Sequence, residues 1–331
     1  MFRTFPQDEP YRQKLLADAG LDPEESPRLR SIVGPAEIRA ILKGFRHHPE
    51  VYKPGERPES RRRESDSHGL ENVAACRFRA NFHIHTQYSD GRLSVPALLQ
   101  QAAAYADRVA ENLNSNSLVP FAPFTVGIMD HNRVEGCAEA IQLIHAEPER
   151  FRNLRVILGS EITVRIRRIY QFELREKRHV HFLMVGITPQ DPCFEAFLLP
   201  FANSVPPTHR DFHGAPSVTL SQVSQLLHSQ QFGALAMAHP SRIQLKRFLV
   251  EPEYATEAMR QYIHLFHKML GRRALYVEAY YQAYTGNLAL DLEELRTILE
   301  TTAAERLLAA GGMDTHGANI FFSNTSPRFS I

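Results

Sequence analysis

The sequence predicts an α/β fold, a distorted (β/α)7 barrel that follows an N-terminal extension. From about residue 79, short apolar runs alternate with amphipathic stretches, and this alternation is typical of parallel sheets with right-handed crossovers. Seven such runs suit a closed barrel, with an open doubly wound sheet as the alternative. Histidines and carboxylates that could bind a metal mostly follow these runs, where the carboxyl ends of parallel strands form a site.

The predicted elements begin after the extension. We predict helices after Ser94 to Pro96, from about Val134, and over about 219–230, 255–270 and 289–304. Two stretches interrupt the alternation: 111–123 is typical of an inserted loop, and the basic stretch 165–179 of a β-hairpin or rim excursion. The predicted strands are 79–85, 124–130, 154–160, 180–187, 234–239, 274–281 and 307–313.

Residues 1–78 differ in composition from residues 79–331. Pro, Glu and Arg are frequent, and the best helical pattern covers 35–44. The stretch 54–66 is typical of an exposed linker, and its arginine run is interpreted as solvated rather than as a polyanion site. The candidate metal ligands all lie in 79–331, so we expect the barrel to fold and bind metal without residues 1–78.

Composition excludes several classes of protein. With 331 residues and a net charge of +1, the chain can bury a sizeable core, but it has no overall attraction for nucleic acid or anionic membranes. No apolar run is long enough to span a bilayer, and the first residues lack the apolar core of a signal peptide. The three cysteines, 76, 137 and 193, lack Cys-x-x-Cys spacing. We interpret them as ordinary thiols in a reducing compartment, which predicts a cytoplasmic location. Any metal ligands should then be nitrogen and oxygen atoms.

The first candidate motif lies at 81–91. On a strand, Phe82 and Ile84 alternate with His83 and His85, so both imidazoles would lie on one face. Asp90 follows in the next loop. Two neutral imidazoles and a carboxylate suit a divalent ion, although the histidines could also be the polar face of a half-buried strand.

Further candidates recur along the chain. Singly, each could be a loop residue, a helix cap or a polar turn, but their joint placement favours a site. His179 shares a strand face with His181, and the apolar run ending at Gly186 favours His181. Glu278 also ends a predicted strand and is a weaker, supporting candidate. The other candidates are Asp130, His131, Asn132, Glu161, His181, His239, Asp314 and His316.

These motifs, in this order, resemble those of the PHP (polymerase and histidinol phosphatase) superfamily. The resemblance covers 79 to about 318 and leaves the first 78 residues unexplained. Met129 and Met313 stand where Thr and Ser are usual in that superfamily. The matching motifs are His83-Ile84-His85-Thr86, Ser89-Asp90-Gly91, Met129-Asp130-His131-Asn132, Gly159-Ser160-Glu161, His181, Ala238-His239-Pro240 and Gly312-Met313-Asp314-Thr315-His316-Gly317.

The resemblance implies a centre of up to three divalent ions. One ion would be held by His83, His85, Glu161 and Asp314. Glu161 would bridge to a second ion, held also by His181 and His239. Asp90, His131 and His316 would hold the third. No ligand position is lost, which weighs against a non-catalytic module with structural metals.

The donor set indicates the chemistry. Nitrogen and oxygen donors without thiolate suit Zn, Mn or Fe, and neighbouring divalent ions activate water and neutralise phosphoryl oxygens. We therefore predict hydrolysis of a small phosphate ester, such as a nucleotide or sugar phosphate, by a metal-activated hydroxide. Glu161, Asp90 and His316 are the predicted catalytic residues, and Arg242 and Asn132 are predicted to bind substrate. A 3′–5′ exonuclease is the alternative, disfavoured by the near-zero net charge.

Overall fold

The structure, a computed structural model, describes residues 5–47, 80–113, 124–201, 218–240, 242–280, 288–311 and 314–317. The predicted linker at 54–66 lies outside these ranges, as does the predicted insert from residue 114 onward. Seven strands form one sheet in chain order within the described part of the chain. They are β1 (Ala80–Ile84), β2 (Phe124–Ile128), β3 (Leu154–Ile169), β4 (Phe172–Val185), β5 (Ala234–Met237), β6 (Ala274–Tyr280) and β7 (Leu308–Gly311).

Helices connect most of these strands, and each predicted helix is present with ends shifted by a few residues. None of the described helices is both long and apolar enough to span a bilayer. The helices are α1 (Glu9–Asp18), α2 (Pro35–His47), α3 (Val95–Leu113), α4 (Glu135–Ala146), α5 (Pro192–Leu198), α6 (Leu220–Ser229), α7 (Arg242–Phe248), α8 (Ala255–Leu270) and α9 (Leu288–Ala304).

The sheet is mixed, which corrects the prediction of a purely parallel one. β1, β2 and β3 pair in parallel, as do β5, β6 and β7. In contrast, β4 is antiparallel to both β3 and β5. The chain returns from β3 through a tight turn at Tyr170 and Gln171, and such a turn permits only antiparallel pairing. The hairpin predicted over 165–179 is thereby confirmed.

The sheet curls until its first strand meets the segment after its last. The backbone N–H of His85 donates to the Thr315 carbonyl (2.9 Å), and the Thr315 N–H donates to the His83 carbonyl (3.1 Å). These bonds bring the carboxyl end of β1 to the segment that follows β7. Residues that lie far apart in sequence therefore converge at one end of the sheet.

The inner faces of β3 and β4 combine an apolar floor with polar residues above it. Side chains alternate between faces along a strand, so Ile157 and Glu161 share one face of β3, and Leu183 and His181 share one face of β4. Ile157 and Leu183 belong to a buried cluster with Phe82. The polar residues of the site thus rest on an apolar floor.

β1 carries an irregularity at the edge of this floor. Its pairing with β2 shifts register between Asn81 and Ile84. Phe82 consequently packs in the inner cluster, whereas Ile84 packs in the larger cluster against the helices. Simple alternation predicted that these two apolar residues share one face. In the structure they lie on different faces.

The N-terminal segment is part of the same core. Tyr11, Leu15 and Leu29 are buried in the larger cluster, and the Tyr11 hydroxyl donates to the Ile187 carbonyl (2.7 Å). β4 ends opposite Gly159, which leaves the beginning of β3 without that neighbour. There the Val156 N–H donates to the Ser31 carbonyl (2.7 Å), and the Val33 N–H donates to the Val156 carbonyl (3.0 Å).

The same segment also closes the floor of the sheet. Ile38 and Leu42 of α2 pack in the inner cluster, and the Asp8 carboxylate caps α2 by accepting the N–H groups of Ala36 (2.9 Å) and Glu37 (2.8 Å). This packing argues against the expectation that the barrel folds without residues 1–78. The division at residues 78 and 79 itself stays a prediction.

Candidate metal centre

β3 and β4 place Glu161 and His181 side by side. β3 continues to Ile169, so Glu161 lies within the strand. The prediction that Glu161 follows the end of the strand is therefore wrong. Because β4 runs in the opposite direction, His181 precedes the residues that pair with β5, instead of following a strand. The His181 Nδ1 lies 2.8 Å from Glu161 Oε1. His179 lies farther along the hairpin, opposite Arg165.

Glu161 is the centre of the cluster. It is completely buried, and each of its two carboxylate oxygens faces imidazole nitrogens. Oε1 lies 2.8 Å from His181 and 3.0 Å from His239. Oε2 lies 3.1 Å from His83 Nε2, 3.2 Å from His85 Nε2 and 3.0 Å from His131 Nδ1. Such a carboxylate can bridge two ions, as the motif resemblance implies.

The first group of donors is spaced like the ligands of one metal ion. Five donor pairs within His83, His85, Glu161 and Asp314 are 3.0 to 3.5 Å apart. With metal–ligand bonds of about 2.0–2.1 Å, two ligands of a tetrahedral ion are about 3.3 Å apart. The donor set and its spacing therefore fit a divalent cation.

A second group of donors lies beside the first. His85, Asp90, His131 and His316 each offer an atom within 4.8 Å of the others. His316 Nε2 is 3.2 Å from Asp90 Oδ1, and His131 Nε2 is 3.8 Å from the same oxygen. These residues include the three ligands that the resemblance assigns to the third ion.

The remaining group lies around both oxygens of Glu161. His131, Glu161 and His181 each offer an atom within 4.8 Å of the others, and His239 Nε2 lies 3.0 Å from Glu161 Oε1. His131 thus lies between two groups, whereas the resemblance assigns it to one. The structure brings together all nine predicted ligands; their roles as ligands stay a prediction.

Hydrogen bonds indicate which ring nitrogen carries the free lone pair in two of the histidines. His83 Nδ1 is 3.2 Å from both oxygens of Glu278, and His316 Nδ1 is 3.0 Å from the Asp314 carbonyl. An Nδ1–H that donates to an oxygen leaves Nε2 as a lone pair in neutral imidazole. The Nε2 atoms then face carboxylate oxygens of Glu161 and Asp90. Two acceptors at such distances repel each other unless a cation or proton lies between them.

The pKa shifts express the same crowding. Burial alone would raise the pKa of Glu161, but the imidazoles of His131, His181 and His83 hold it well below its usual value. Burial would lower the pKa of His85, but hydrogen bonds to Asp314 and Glu161 raise it to about 10. A bound metal must displace such protons, because its ligands bind deprotonated.

Asp130 holds the loop that carries Asp90, a role that sequence reasoning missed. Its carboxylate accepts the Thr86 N–H (2.6 Å), the Thr86 hydroxyl (2.7 Å) and the Ser89 hydroxyl (2.8 Å). A Cβ added at Gly91 would lie 2.1 Å from the His85 carbonyl oxygen, so the loop requires glycine there. The signal was the pairing of Thr86 and Ser89 with an aspartate that directly precedes a candidate ligand.

Asn132 has a structural role, and its predicted role in substrate binding stays a prediction. Its side-chain amide donates to the Thr163 hydroxyl (2.9 Å) and accepts the Thr163 N–H (2.9 Å). Its backbone N–H donates to the Glu161 carbonyl (2.8 Å). With both amide atoms engaged on β3, Asn132 anchors the segment that presents His131.

Backbone strain concentrates at this site. Asn132, His239 and Asp314 have φ values of 51°, 23° and 47°, in a region that non-glycine residues seldom adopt. Such conformations cost roughly 1–3 kcal/mol each and cluster at functional sites. Surrounding contacts must therefore hold these three residues in place.

The other predicted residues lie as follows. Arg242 begins α7, and its side chain lies outside the described part. Met313 lies outside it as well. Met129 packs in the inner cluster, and a Cβ added at Gly159 would lie 2.3 Å from its sulfur, so glycine makes room for the larger residue.

The proposed ligands differ in exposure within the described part of the chain. The side chains of His83, His85 and Glu161 are fully buried. Asp90 and His316 are each 11% exposed, and His181 and His239 are each 14% exposed. These four are the more exposed members of the group.

Comparisons with known proteins give structural resemblances only. No protein-family model and no curated protein sequence matches the chain. One solved structure that resembles it is that of a proposed metal-dependent phosphoesterase from Bifidobacterium adolescentis. Their sequences are 19% identical and the TM-score is 0.44, with 72% of this chain and 88% of that one covered.

Two further structures are more distant. A two-domain protein from Bacteroides vulgatus, containing a predicted PHP-like metal-dependent phosphoesterase, is 14% identical with a TM-score of 0.38. The match covers 72% of this chain and 52% of that one, about half its length. PsfC from Pseudomonas syringae is 12% identical with a TM-score of 0.32, over 72% and 76% of the two chains. Since these TM-scores are below 0.5, the functional inference rests on the motifs and the site.

Proposed function

We propose that this protein is a metal-dependent phosphoesterase that hydrolyses a small phosphate ester, such as a nucleotide or sugar phosphate. The observation that carries the proposal is the donor arrangement around Glu161. Five imidazole nitrogens lie within 3.2 Å of its two oxygens. Imidazole nitrogens and carboxylate oxygens this close need a proton or a cation between them, and their spacing suits divalent ions.

The proposed centre holds up to three ions of Zn, Mn or Fe. When bound, such ions supply an activated water and neutralise phosphoryl and leaving-group oxygens. Glu161 would connect two ion positions through its two oxygens. The motif order supports phosphoryl chemistry in particular, because it resembles that of the PHP superfamily.

Asp90 and His316 are the proposed proton carriers. They form a close pair, 3.2 Å apart, and are each 11% exposed. When the third ion position is empty, a proton held between them could pass to a leaving oxygen. Arg242 is proposed to bind a phosphate oxygen from the start of α7, since a guanidinium fork suits that group.

The finer proposals follow from the same motifs. We propose that the curled sheet is the distorted (β/α)7 barrel of the PHP type, preceded by an extension over 1–78. We also propose a cytoplasmic location from the cysteine usage. Nucleic acid is not favoured as a substrate, and no membrane partner is proposed.

Metal analysis and a substrate panel test this function. The full chain, produced in medium with Zn, Mn or Fe, should carry more than one equivalent of metal. It should release phosphate from mononucleotides or sugar phosphates, and it should lose that activity on chelation. Metal below one equivalent, with no gain on reconstitution, would refute the centre.

Two histidine variants and a DNA arm sharpen the test. His316→Ala should lose phosphate release by about a hundredfold or more, the scale of general acid–base contributions. His228→Ala, on the exposed face of α6, should retain it. Digestion of single-stranded DNA without phosphate release from any small ester would replace the proposal with the exonuclease alternative.

A further inference from the structure

Glu278 is a completely buried carboxylate beside the proposed centre. It lies on β6, after the apolar residues Tyr276 and Val277. Its two oxygens are each 3.2 Å from His83 Nδ1, and its Oε2 accepts the backbone N–H of His239 (2.9 Å). One side chain therefore contacts residues assigned to two different ions.

The contact with His83 selects one tautomer. An imidazole whose Nδ1–H faces a carboxylate presents Nε2 as its metal-binding lone pair. In this protein His83 Nε2 faces Glu161 Oε2 at 3.1 Å and His85 Nε2 at 3.0 Å. With the opposite tautomer, the lone pair would face Glu278 and the proton would occupy the proposed metal position.

The contact with His239 constrains the backbone. His239 has a φ of 23°, and it precedes Pro240, which restricts its conformation further. The hydrogen bond to Glu278 holds its N–H in this strained geometry. The His239 ring is thereby directed so that Nε2 lies 3.0 Å from Glu161 Oε1.

We propose that Glu278 is a positioning residue that sets the ligand geometry of two neighbouring metal positions, through His83 and through His239. This inference rests on the proposed metal centre, but not on the identity of the substrate. Glu278 does not reach the proposed reacting atoms itself. Its effect must therefore appear in metal binding before it appears in catalysis.

The test compares Zn²⁺ affinity in Glu278→Gln and wild-type protein. Chelator-treated full chain is titrated with Zn²⁺ against a chromophoric chelator, and Co²⁺ spectra report ligand geometry. Glutamine keeps the volume but removes the charge that favours the Nδ1–H tautomer. We expect the affinity at two positions to fall by about 10- to 100-fold, the usual effect of losing a partner of a ligand histidine, with a changed Co²⁺ spectrum.

Glu37→Gln is the matched control. Glu37 is another buried carboxylate, paired with Arg155 away from the proposed ligands. Its substitution should lower the thermal stability and leave Zn²⁺ affinity and the Co²⁺ spectrum unchanged. If both variants lose Zn²⁺ affinity equally, Glu278 acts only through general stability and the inference is overturned.

A second variant covers the case in which Glu278→Gln does not fold. Glu278→Asp keeps the charge but draws it back from both partners, so its Zn²⁺ affinity should lie between those of wild type and the Gln variant. Wild-type affinity and an unchanged Co²⁺ spectrum in the folded variants would overturn the positioning role.

The outcomes also separate this inference from the proposed function. Wild-type protein that binds Zn²⁺ but releases no phosphate would refute the function. In that case, a lower Zn²⁺ affinity in Glu278→Gln would still support the positioning role. Active wild-type protein with unchanged Zn²⁺ binding in Glu278→Gln would refute the positioning role alone. Wild-type protein that binds no Zn²⁺ would refute both.

Discussion

Two buried carboxylates near the strand β3, Glu37 beside its first residues and Glu161 in its middle, have very different surroundings. Glu37, on α2, accepts a hydrogen bond from Nε of Arg155 at 3.0 Å, near the start of the strand. Glu161, on β3 itself, has the imidazole nitrogens of five described histidines within 3.2 Å of its oxygens. The fold supplies Glu37 with a permanent cation. Glu161 has only groups whose charge depends on protons or metals.

The pKa values follow this difference. Burial raises the pKa of Glu37 despite the opposing charge of Arg155, whereas the surrounding imidazoles hold the pKa of Glu161 well below its usual value. A buried pair such as Glu37 and Arg155 is explained by the packing of α2 on the sheet. A carboxylate among imidazoles fits the proposed metal centre. Substitutions at Glu37 should therefore mainly affect stability, and substitutions at Glu161 should mainly affect metal binding.

Deleting residues 1–47 should have the largest effect. It removes Glu37, the ion-pair partner of Arg155, and leaves a cavity where Tyr11, Leu15, Leu16, Leu29 and Ile32, all buried, had packed. At about 1.5–3 kcal/mol for each large apolar side chain, the loss is comparable to the roughly 5–15 kcal/mol that stabilises a typical domain. The truncated chain should show no cooperative thermal unfolding by circular dichroism. A cooperative transition with full metal content would show that the segment is dispensable.

Glu161→Gln should have the next largest effect. The variant keeps the volume but loses the charge that serves two ion positions, so both ions should weaken together. Phosphate release should fall by at least about a hundredfold, since effects on direct ligands exceed the 10- to 100-fold typical of their supporting residues. Folding should survive, because Val156, Ile157 and Leu158 supply the packing. Wild-type turnover with a full metal complement would refute the bridging role.

Asp90→Asn should have a smaller effect on metal content. Asp90 contacts His316 at 3.2 Å and His131 at 3.8 Å and belongs to one donor group. Elemental analysis should therefore show the loss of about one equivalent, against about two for Glu161→Gln, by the assignment of ligands to ions. Equal losses in the two variants would contradict the separate third position.

Glu37→Gln should change stability alone, and by the least. Glutamine accepts the hydrogen bond of Arg155 less well than the carboxyl group does, so the free energy of unfolding should fall by about 1 kcal/mol, with metal content unchanged. The folded pKa of Glu37 is raised above its ordinary value of 4.5, so the folded state retains this proton to higher pH than the unfolded state does. The protonation of Glu37 therefore adds to the free energy of unfolding below pH 4.5, and this addition is lost as the pH rises through the folded pKa. Denaturant titrations at several pH values should show this pH-dependent change in the free energy of unfolding for the wild type and not for the variant.

Much of the site follows from local pattern. Alternation along β3 and β4 predicts that Ile157 and Glu161, or Leu183 and His181, share a face, because the pleat fixes side-chain direction over a few residues. Chain order then predicts that residues after successive strands converge. The nine predicted ligands do converge in the structure, and the hairpin over 165–179 is present.

Other features depend on contacts between distant parts of the chain. The direction of β4 follows from a tight turn that apolar periodicity does not reveal. The pairing of Ser31 and Val33 with β3 depends on where β4 ends. The anchoring of Asn132 depends on Thr163, which lies 31 residues away in sequence.

The amino-acid sequence by itself determined which side chains form the centre, because strand periodicity and motif order are local properties. Only the tertiary structure decided how those side chains are held. Glu278 contacts His83 across 195 residues of sequence, and Tyr11 contacts Ile187 across 176. Such contacts arise from the curl of the sheet and the closure of its floor, which no short stretch of sequence encodes.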